Sequence, residues 1–153
     1  MAELKDRLRA DLTTALKARE ALTASTIRLV LTAISNAEVA GTEARDLSDD
    51  EVLDVIAKEA KKRRESAEAF EAGGRPELAQ KERDEAAILA GYLPEALSAE
   101  EIAAIVTAAV QDIGAAGEGM KAMGRVMGVV QPQVKGRADG GVVAAEVKRQ
   151  LGA

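Results

Sequence analysis

One short segment, VKGRADGG at positions 134–141, concentrates residue types that bind phosphate. Lys135 supplies a positive charge, and Arg137 offers a planar fork that can hold a phosphate through two parallel hydrogen bonds. Gly136 and Gly140 permit backbone conformations that other residues avoid. A helix that begins near Gly140 directs its first N–H groups outward, which favours an anion. The segment therefore predicts a phosphate contact.

The same segment has an interpretation that needs no ligand. Asp139 is well placed to cap the helix that follows and to pair with Arg137. The connection is also longer than the three- to four-residue turn of a helix-turn-helix motif, so sequence-specific DNA recognition is not expected. Phosphate contact and a simple capped turn both remain open at this point.

Two glycines interrupt the helix predicted just before this turn. Gly124 and Gly128 lie four residues apart, and each costs a helix interior roughly 1 kcal/mol relative to alanine. Either another helix packs closely against them, or a sugar–phosphate backbone approaches them beside Arg125. A neighbouring face of this helix has the spacing of a core stripe, formed by Met120, Met123, Met127 and Val130.

A second basic run, KKRR at positions 61–64, has a simpler explanation. Four consecutive residues spread around most of the circumference of a helix. Glu65 and Glu68 follow Lys61 and Arg64 by four residues, which is the spacing of ion pairs along a helix. The run is therefore expected to form a solvated face.

The composition argues against catalysis by this chain alone. It contains no cysteine and no histidine, which excludes a thiolate nucleophile, a Cys/His zinc site and a histidine general base. No phosphate-binding loop of the G-x-x-x-x-G-K-[ST] type is present. Glu82 and Glu85 can share a helix face, but such pairs are ordinary on an acidic helix. We expect no intrinsic catalysis, no cofactor and no metal.

The charge is unevenly distributed along the chain. Residues 1–116 carry 15 basic and 23 acidic side chains, a net charge of −8. Residues 117–153 carry six basic and three acidic side chains, a net charge of +3. A positive C-terminal segment on an acidic chain suggests an anionic partner. Because aromatic residues make up only 1% of the chain, an RNA partner would be bound by its shape and backbone rather than by base stacking.

Almost every segment has the apolar periodicity of a helix, and none alternates like a strand. Ser48 with Glu51, and Ser98 with Glu101, have the spacing of a capping box at a helix start. Pro132 is expected to end the sixth helix near Val130. The sequence thus predicts an all-α fold.

These helices fall into two groups. A four-helix N-terminal bundle is expected over residues 1–92 and a three-helix C-terminal domain over residues 97–153, with a hinge between them. The first residues are charged and hold no apolar signal core, and the longest apolar run is about half a membrane span. A cytoplasmic location and no membrane contact are therefore expected.

Three motifs, in this order and spacing, resemble the GatB/YqeY family: GYLPEALSAEEI at 91–102, GMKAMGRVMG at 119–128 and VKGRADG at 134–140. The N-terminal half agrees with the same family at Arg28, Asn36, KEAKKRRES (58–66), Phe70, Gly74, Arg75, Glu82 and Glu85.

The resemblance implies a function. The family comprises small stand-alone helical proteins and the C-terminal helical region of the B subunit of glutamine-dependent tRNA amidotransferase. In that complex the helical domain helps to hold the tRNA, while the chemistry occurs elsewhere. The resemblance also associates the chain with carbon–nitrogen ligase activity that uses glutamine as amido donor. The last helix departs from the family pattern, because Gly141 stands where lysine is common, and a polar residue is common near Ala144 or Ala145.

Together these features predict a non-catalytic accessory module that binds a folded RNA, tRNA in the first place. The expected phosphate contacts are Arg125, Lys135, Arg137 and Lys148. The glycines expected to permit close approach are Gly124, Gly128, Gly136 and Gly140. The alternative is a protein-interaction adaptor that binds no RNA and docks a partner on its acidic four-helix part.

Overall fold

The computed structural model describes residues 3–152, and within this range it contains helices and no strand. The all-α prediction is confirmed. The helices are α1 (Glu3–Lys17), α2 (Ala21–Glu38), α3 (Asp49–Ala72), α4 (Pro76–Ala90), α5 (Ala99–Asp112), α6 (Met123–Val134) and α7 (Gly140–Gln150), with a 3₁₀ turn at Gly119–Ala122 before α6. None of the described helices is long and apolar enough to cross a membrane.

Backbone contacts divide the chain into two compact units, residues 1–93 and 94–153. The first unit holds α1 to α4, and its most extensive helix pair is α3 with α4. Its core consists of aliphatic side chains that are shielded from solvent, among them Leu8, Ile27, Val30, Ile34, Val52, Ile56 and Leu89. The Tyr92 side chain packs at the edge of this core.

Both predicted capping boxes are present. Ser48 Oγ accepts the N–H of Glu51 at 3.2 Å, and the Glu51 carboxylate accepts the N–H of Ser48 at 3.2 Å. Ser98 and Glu101 repeat the arrangement at the start of α5, with distances of 3.1 and 3.2 Å. Each pair satisfies two N–H groups that a helix end would otherwise leave without a partner.

Part of the basic run in α3 departs from the expected solvated face. The Arg63 side chain is only 19% exposed and lies against α4, with Nε 3.3 Å from Glu82 and Nη1 3.5 Å from Glu85. The Glu85 side chain is only 6% exposed. The expectation was wrong for Arg63 because this position faces α4, whereas Arg64 is exposed.

The second unit is built from α5, α6 and α7 around short side chains. The innermost residues of α6 and the turn before it recur every fourth position, at Ala122, Val126, Val130 and Val134. The predicted core stripe is therefore confirmed at Val130, but its three methionines do not form the centre of the core. Met120 is 50% exposed, and Met123 and Met127 pack at the edge.

Pro132 does not end α6, which continues to Val134. A proline inside a helix lacks one N–H, and its ring crowds the carbonyl four residues earlier. That residue is Gly128, which carries no side chain and leaves the backbone more freedom to adjust. Because Pro132 lies in the last turn, the helix needs only two further residues beyond it.

Candidate functional site

The turn after α6 is built by its own backbone. The N–H groups of Arg137 and Ala138 both donate to the carbonyl of Val134, at 2.8 and 3.1 Å. Gly136 has φ +73°, in the left-handed region that side chains disfavour. A Cβ at Gly136 would lie 3.7 Å from Pro94 Cδ, an ordinary contact, so glycine is required here by the backbone conformation rather than by crowding.

Arg137 links this turn to residues 95–97, at the start of the second unit. Its Nε donates to the carbonyl of Glu95 at 3.1 Å, and its own carbonyl accepts the N–H of Leu97 at 2.8 Å. The pKa of Glu101 lies below its usual value, chiefly because its carboxylate accepts the Ser98 N–H, and the positive charge of Arg137 adds to this effect. Arg137 thus positions the turn, and only part of its guanidinium remains for another anion.

Asp139 caps α7, as the interpretation without a ligand proposed. Its Oδ1 accepts the N–H of Gly141 at 2.7 Å and that of Val142 at 3.3 Å. The carboxylate therefore occupies the position at which a phosphate was expected to meet the start of α7. A Cβ at Gly141 would lie 3.0 Å from this Oδ1, so a side chain there would crowd the cap. Gly140 has no such neighbour within 4 Å.

Gly124 and Gly128 lie on the exposed side of α6. A Cβ built at either position meets nothing within 4 Å beyond the backbone of its own helix, among the described residues. The interpretation that another helix of the unit packs against them is therefore wrong. Their cost in helix stability has no packing explanation inside this unit.

The two glycines belong to a stripe that runs the whole length of α6. Counting 100° per residue along α6, the exposed positions 124, 125, 128 and 132 lie on the side opposite the buried positions 126, 130 and 134, and the exposed positions 121 and 135 lie just before and just after the helix. We call this stripe the α6 outer face; its residues are Lys121, Gly124, Arg125, Gly128, Pro132 and Lys135. Two of them, Lys121 and Pro132, were missed as site residues, although the same periodicity counted from Gly124 would have found them.

The α6 outer face is basic. Residues 119–138 contain four basic side chains and no acidic one. Arg125 forms an ion pair with Glu118, just before this segment, and its side chain is 55% exposed. Lys135 is exposed and also interacts within the chain.

The four predicted phosphate contacts do not form one cluster. Arg125 and Lys135 stand near opposite ends of α6, about 15 Å apart at 1.5 Å per residue. Arg137 lies in the turn, and Lys148 is exposed in the last turn of α7, next to Arg149, which pairs with Glu146. The structure thus offers an extended basic stripe rather than a pocket.

The unit as a whole is not basic. The net charge of +3 counted for residues 117–153 is balanced by four acidic residues between 94 and 116, so the unit 94–153 carries six basic and seven acidic side chains. Positive charge is concentrated in residues 119–138, between Glu118 and Asp139, because four of the seven acidic residues of this unit lie in α5 and the loop before it.

Tyr92, in the motif GYLPEALSAEEI at 91–102, has a structural role in the first unit. The Tyr92 hydroxyl donates to the carboxylate of Asp11, and the Arg7 guanidinium lies 4.7 Å from the centre of the Tyr92 ring. Burial and the contact with Asp11 raise the pKa of Tyr92. These contacts hold the segment after α4 against α1, and a raised pKa does not indicate a reactive phenol.

Comparison with known proteins agrees with the three motifs. A family model described as Yqey-like protein matches residues 5–151. A protein of Pyrenophora tritici-repentis, altered inheritance of mitochondria protein 41, mitochondrial, is 32% identical over 151 residues, covering 96% of this chain and 80% of the relative. The family predicted from the sequence is thereby confirmed, and this chain belongs to the Yqey-like family.

Proposed function

We propose that the chain is a non-catalytic accessory module that binds a folded RNA, tRNA in the first place, through the α6 outer face. The observation that carries the proposal is the pair Gly124 and Gly128. Gly128 lies exposed in the interior of α6 and Gly124 lies exposed in its first turn, and an added Cβ at either position would meet nothing within 4 Å beyond the backbone of its own helix, among the described residues. Glycine at these positions costs stability and gives nothing to the packing of the unit, which is expected of a surface that another molecule approaches closely.

The charge around these glycines suits a phosphate backbone. Arg125 lies beside them on α6, Lys121 and Lys135 are exposed just before and just after the helix, and the segment 119–138 holds no acidic residue. Contacts to phosphates fix the position of a protein on a nucleic acid without reading its sequence. The near absence of aromatic residues agrees with binding by shape.

The remaining predicted residues take different roles in this proposal. Arg137 positions the turn that presents Lys135, and Gly136 permits the φ of +73° that the turn needs. Lys148 on α7 is a more distant electrostatic contact. The similarity to the tRNA-holding domain of the amidotransferase supports a tRNA ligand, and the chain would contribute position rather than chemistry.

The direct test is binding of purified total tRNA at low and near-physiological salt. Arg125→Ala is compared with Arg149→Ala, because both arginines are exposed and each pairs with a nearby glutamate. The proposal expects Arg125→Ala to weaken binding and to reduce the salt slope by somewhat under one unit. It expects Arg149→Ala to leave both unchanged. Equal effects of the two variants would show non-specific attraction instead.

The alternative function is a protein-interaction adaptor without RNA. It is favoured by two exposed apolar side chains on and beside α2, Leu29 at 46% and Val39 at 64%, in a unit whose 15 basic and 19 acidic side chains leave it acidic. An adaptor predicts a stoichiometric protein partner that survives nuclease treatment and is released by Leu29→Lys/Val39→Lys. Nucleic acid that co-purifies with the chain would favour the first function.

A further inference from the structure

The first unit contains an open groove between α2 and α3. Its volume is about 550 Å³, and it is open to solvent along one side. Its apolar floor is formed by the small side chains of Ala33 and Ala37 from α2 and by Val55 from α3. The walls are polar and come from Asn36, Lys58, Lys61 and Lys62, together with two glutamates of α3.

The α3 wall of the groove places like charges close together. Lys58 and Lys62 are four residues apart on one helix, a spacing at which two positive charges repel and destabilise the helix slightly. Lys58 is exposed and forms no ion pair with any residue that the structure describes. Lys62 Nζ lies 3.1 Å from Glu59, which uses one of the three N–H donors of the ammonium group.

The groove is more positive than the unit around it. Its lining carries three lysines and two glutamates, whereas residues 1–93 carry 15 basic and 19 acidic side chains. Glu59 is also 3.9 Å from Arg63, so its negative charge is shared between Lys62 and Arg63. An anion between Lys58 and Lys62 would offset the repulsion between their charges.

We propose that this groove binds a small organic phosphate. The phosphate lies between the ammonium groups of Lys58 and Lys62, which act as point charges and donors. The Asn36 side chain on the opposite wall offers both a donor and an acceptor to a neutral polar group of the ligand. The organic part rests on Ala33, Ala37 and Val55.

This site is separate from the RNA-binding proposal. The groove belongs to residues 1–93, whereas the α6 outer face belongs to residues 94–153. Neither proposal requires the other, so each can fail alone.

The test is an NMR titration of the full ¹⁵N-labelled chain with phenyl phosphate, followed by the same titration of Lys58→Gln. We expect saturable shifts at the amides of Asn36, Lys58 and Lys62, and a dissociation constant about tenfold higher for the variant. Lys17→Gln, which removes an equal charge from the exposed end of α1, is the matched control and should bind like the wild type.

Two further measurements isolate the parts of the site. Lys58→Glu places a glutamate four residues before Lys62, a favourable ion pair, so this variant should keep its thermal stability while losing phenyl phosphate binding. Ala37→Leu, at an exposed floor position, should weaken phenyl phosphate binding more than inorganic phosphate binding.

The proposal is overturned if the wild type shows no saturable shift with phenyl phosphate, or if Lys58→Gln and Lys17→Gln bind it equally. It is also overturned if these amides respond to tRNA but not to phenyl phosphate, since the groove would then be part of an RNA surface.

Discussion

Asp139 is the site residue whose role follows most directly from its position in the sequence. Its place before a helix and next to glycines predicted a cap, and the carboxylate does accept two N–H groups of α7. The partner of Arg137 could not be predicted, because the Glu95 carbonyl lies 42 positions away along the chain. Local chemistry within three or four residues is visible in the sequence, whereas contacts across a fold depend on packing.

Removing this cap should destabilise the second unit. Asp139→Ala leaves the N–H groups of Gly141 and Val142 without their acceptor and should lower the free energy of unfolding by about 1 kcal/mol. Chemical denaturation followed by circular dichroism measures the change. Asp112→Ala, at the end of α5, removes a carboxylate that caps no helix start and should cost nothing. Equal losses in the two variants would contradict the capping role.

Glu51 makes the stability of the folded protein depend on pH. The Arg45 guanidinium, followed by the Ser48 N–H, lowers the pKa of Glu51 to about 2 from an ordinary value of 4.5. A carboxyl group with a lowered folded-state pKa stabilises the protein above the unfolded-state pKa, and the stabilisation is lost as pH falls through the folded-state value.

The wild type should therefore lose stability between about pH 4.5 and pH 2 through this group. Glu51→Gln should be less stable than the wild type at neutral pH, and the difference should shrink across that acidic window. Thermal melts at a series of pH values measure it. A difference that stays constant down to pH 2 would show that the Glu51 charge has no part in stability.

At the scale of elements, helix periodicity predicted most of the fold but not which side of a helix faces which neighbour. The methionines of α6 had core spacing, yet valines four residues apart fill the centre of the unit. The choice depends on how closely α5 and α7 approach, which a single helix pattern does not contain. The run KKRR likewise gave no sign that Arg63 alone turns toward α4.

The Arg63 contacts give the clearest stability prediction for an element pair. Arg63→Ala would remove the cation that the largely shielded carboxylates of Glu82 and Glu85 share at the α3–α4 interface, and would leave Glu85 with the more exposed Lys81 at 3.7 Å. Breaking a shielded ion pair on one side costs about 3 kcal/mol or more. Urea denaturation should show this loss, while the exposed neighbour Arg64→Ala should change stability by less than about 0.5 kcal/mol. A small effect of Arg63→Ala would mean that water already screens these carboxylates.

At the scale of the whole molecule, the structure corrects the expectation of where positive charge lies. Counting along the chain suggested a positive C-terminal part, but residues 94–153 together carry six basic and seven acidic side chains. The anionic partner is therefore expected on one helix face rather than on a whole unit. Linear counting missed this because α5 brings its acidic residues into the same unit as α6.

The central claim is that Gly124 and Gly128 keep the α6 outer face open for an RNA backbone, and one variant tests it most directly. In Gly124→Ala/Gly128→Ala both methyl groups point into open space. Gly128→Ala should stabilise the interior of α6 by roughly 0.5–1 kcal/mol, and Gly124→Ala, in the first turn, should stabilise it by less. A bulk control is Ala104→Leu/Ala108→Leu on the exposed side of α5.

The measurement is tRNA affinity of the glycine variant at near-physiological salt, made beside its thermal unfolding. We predict a higher melting temperature together with affinity lowered at least tenfold, while the α5 control binds like the wild type. A glycine variant that is more stable and binds tRNA as tightly as the wild type would contradict the claim.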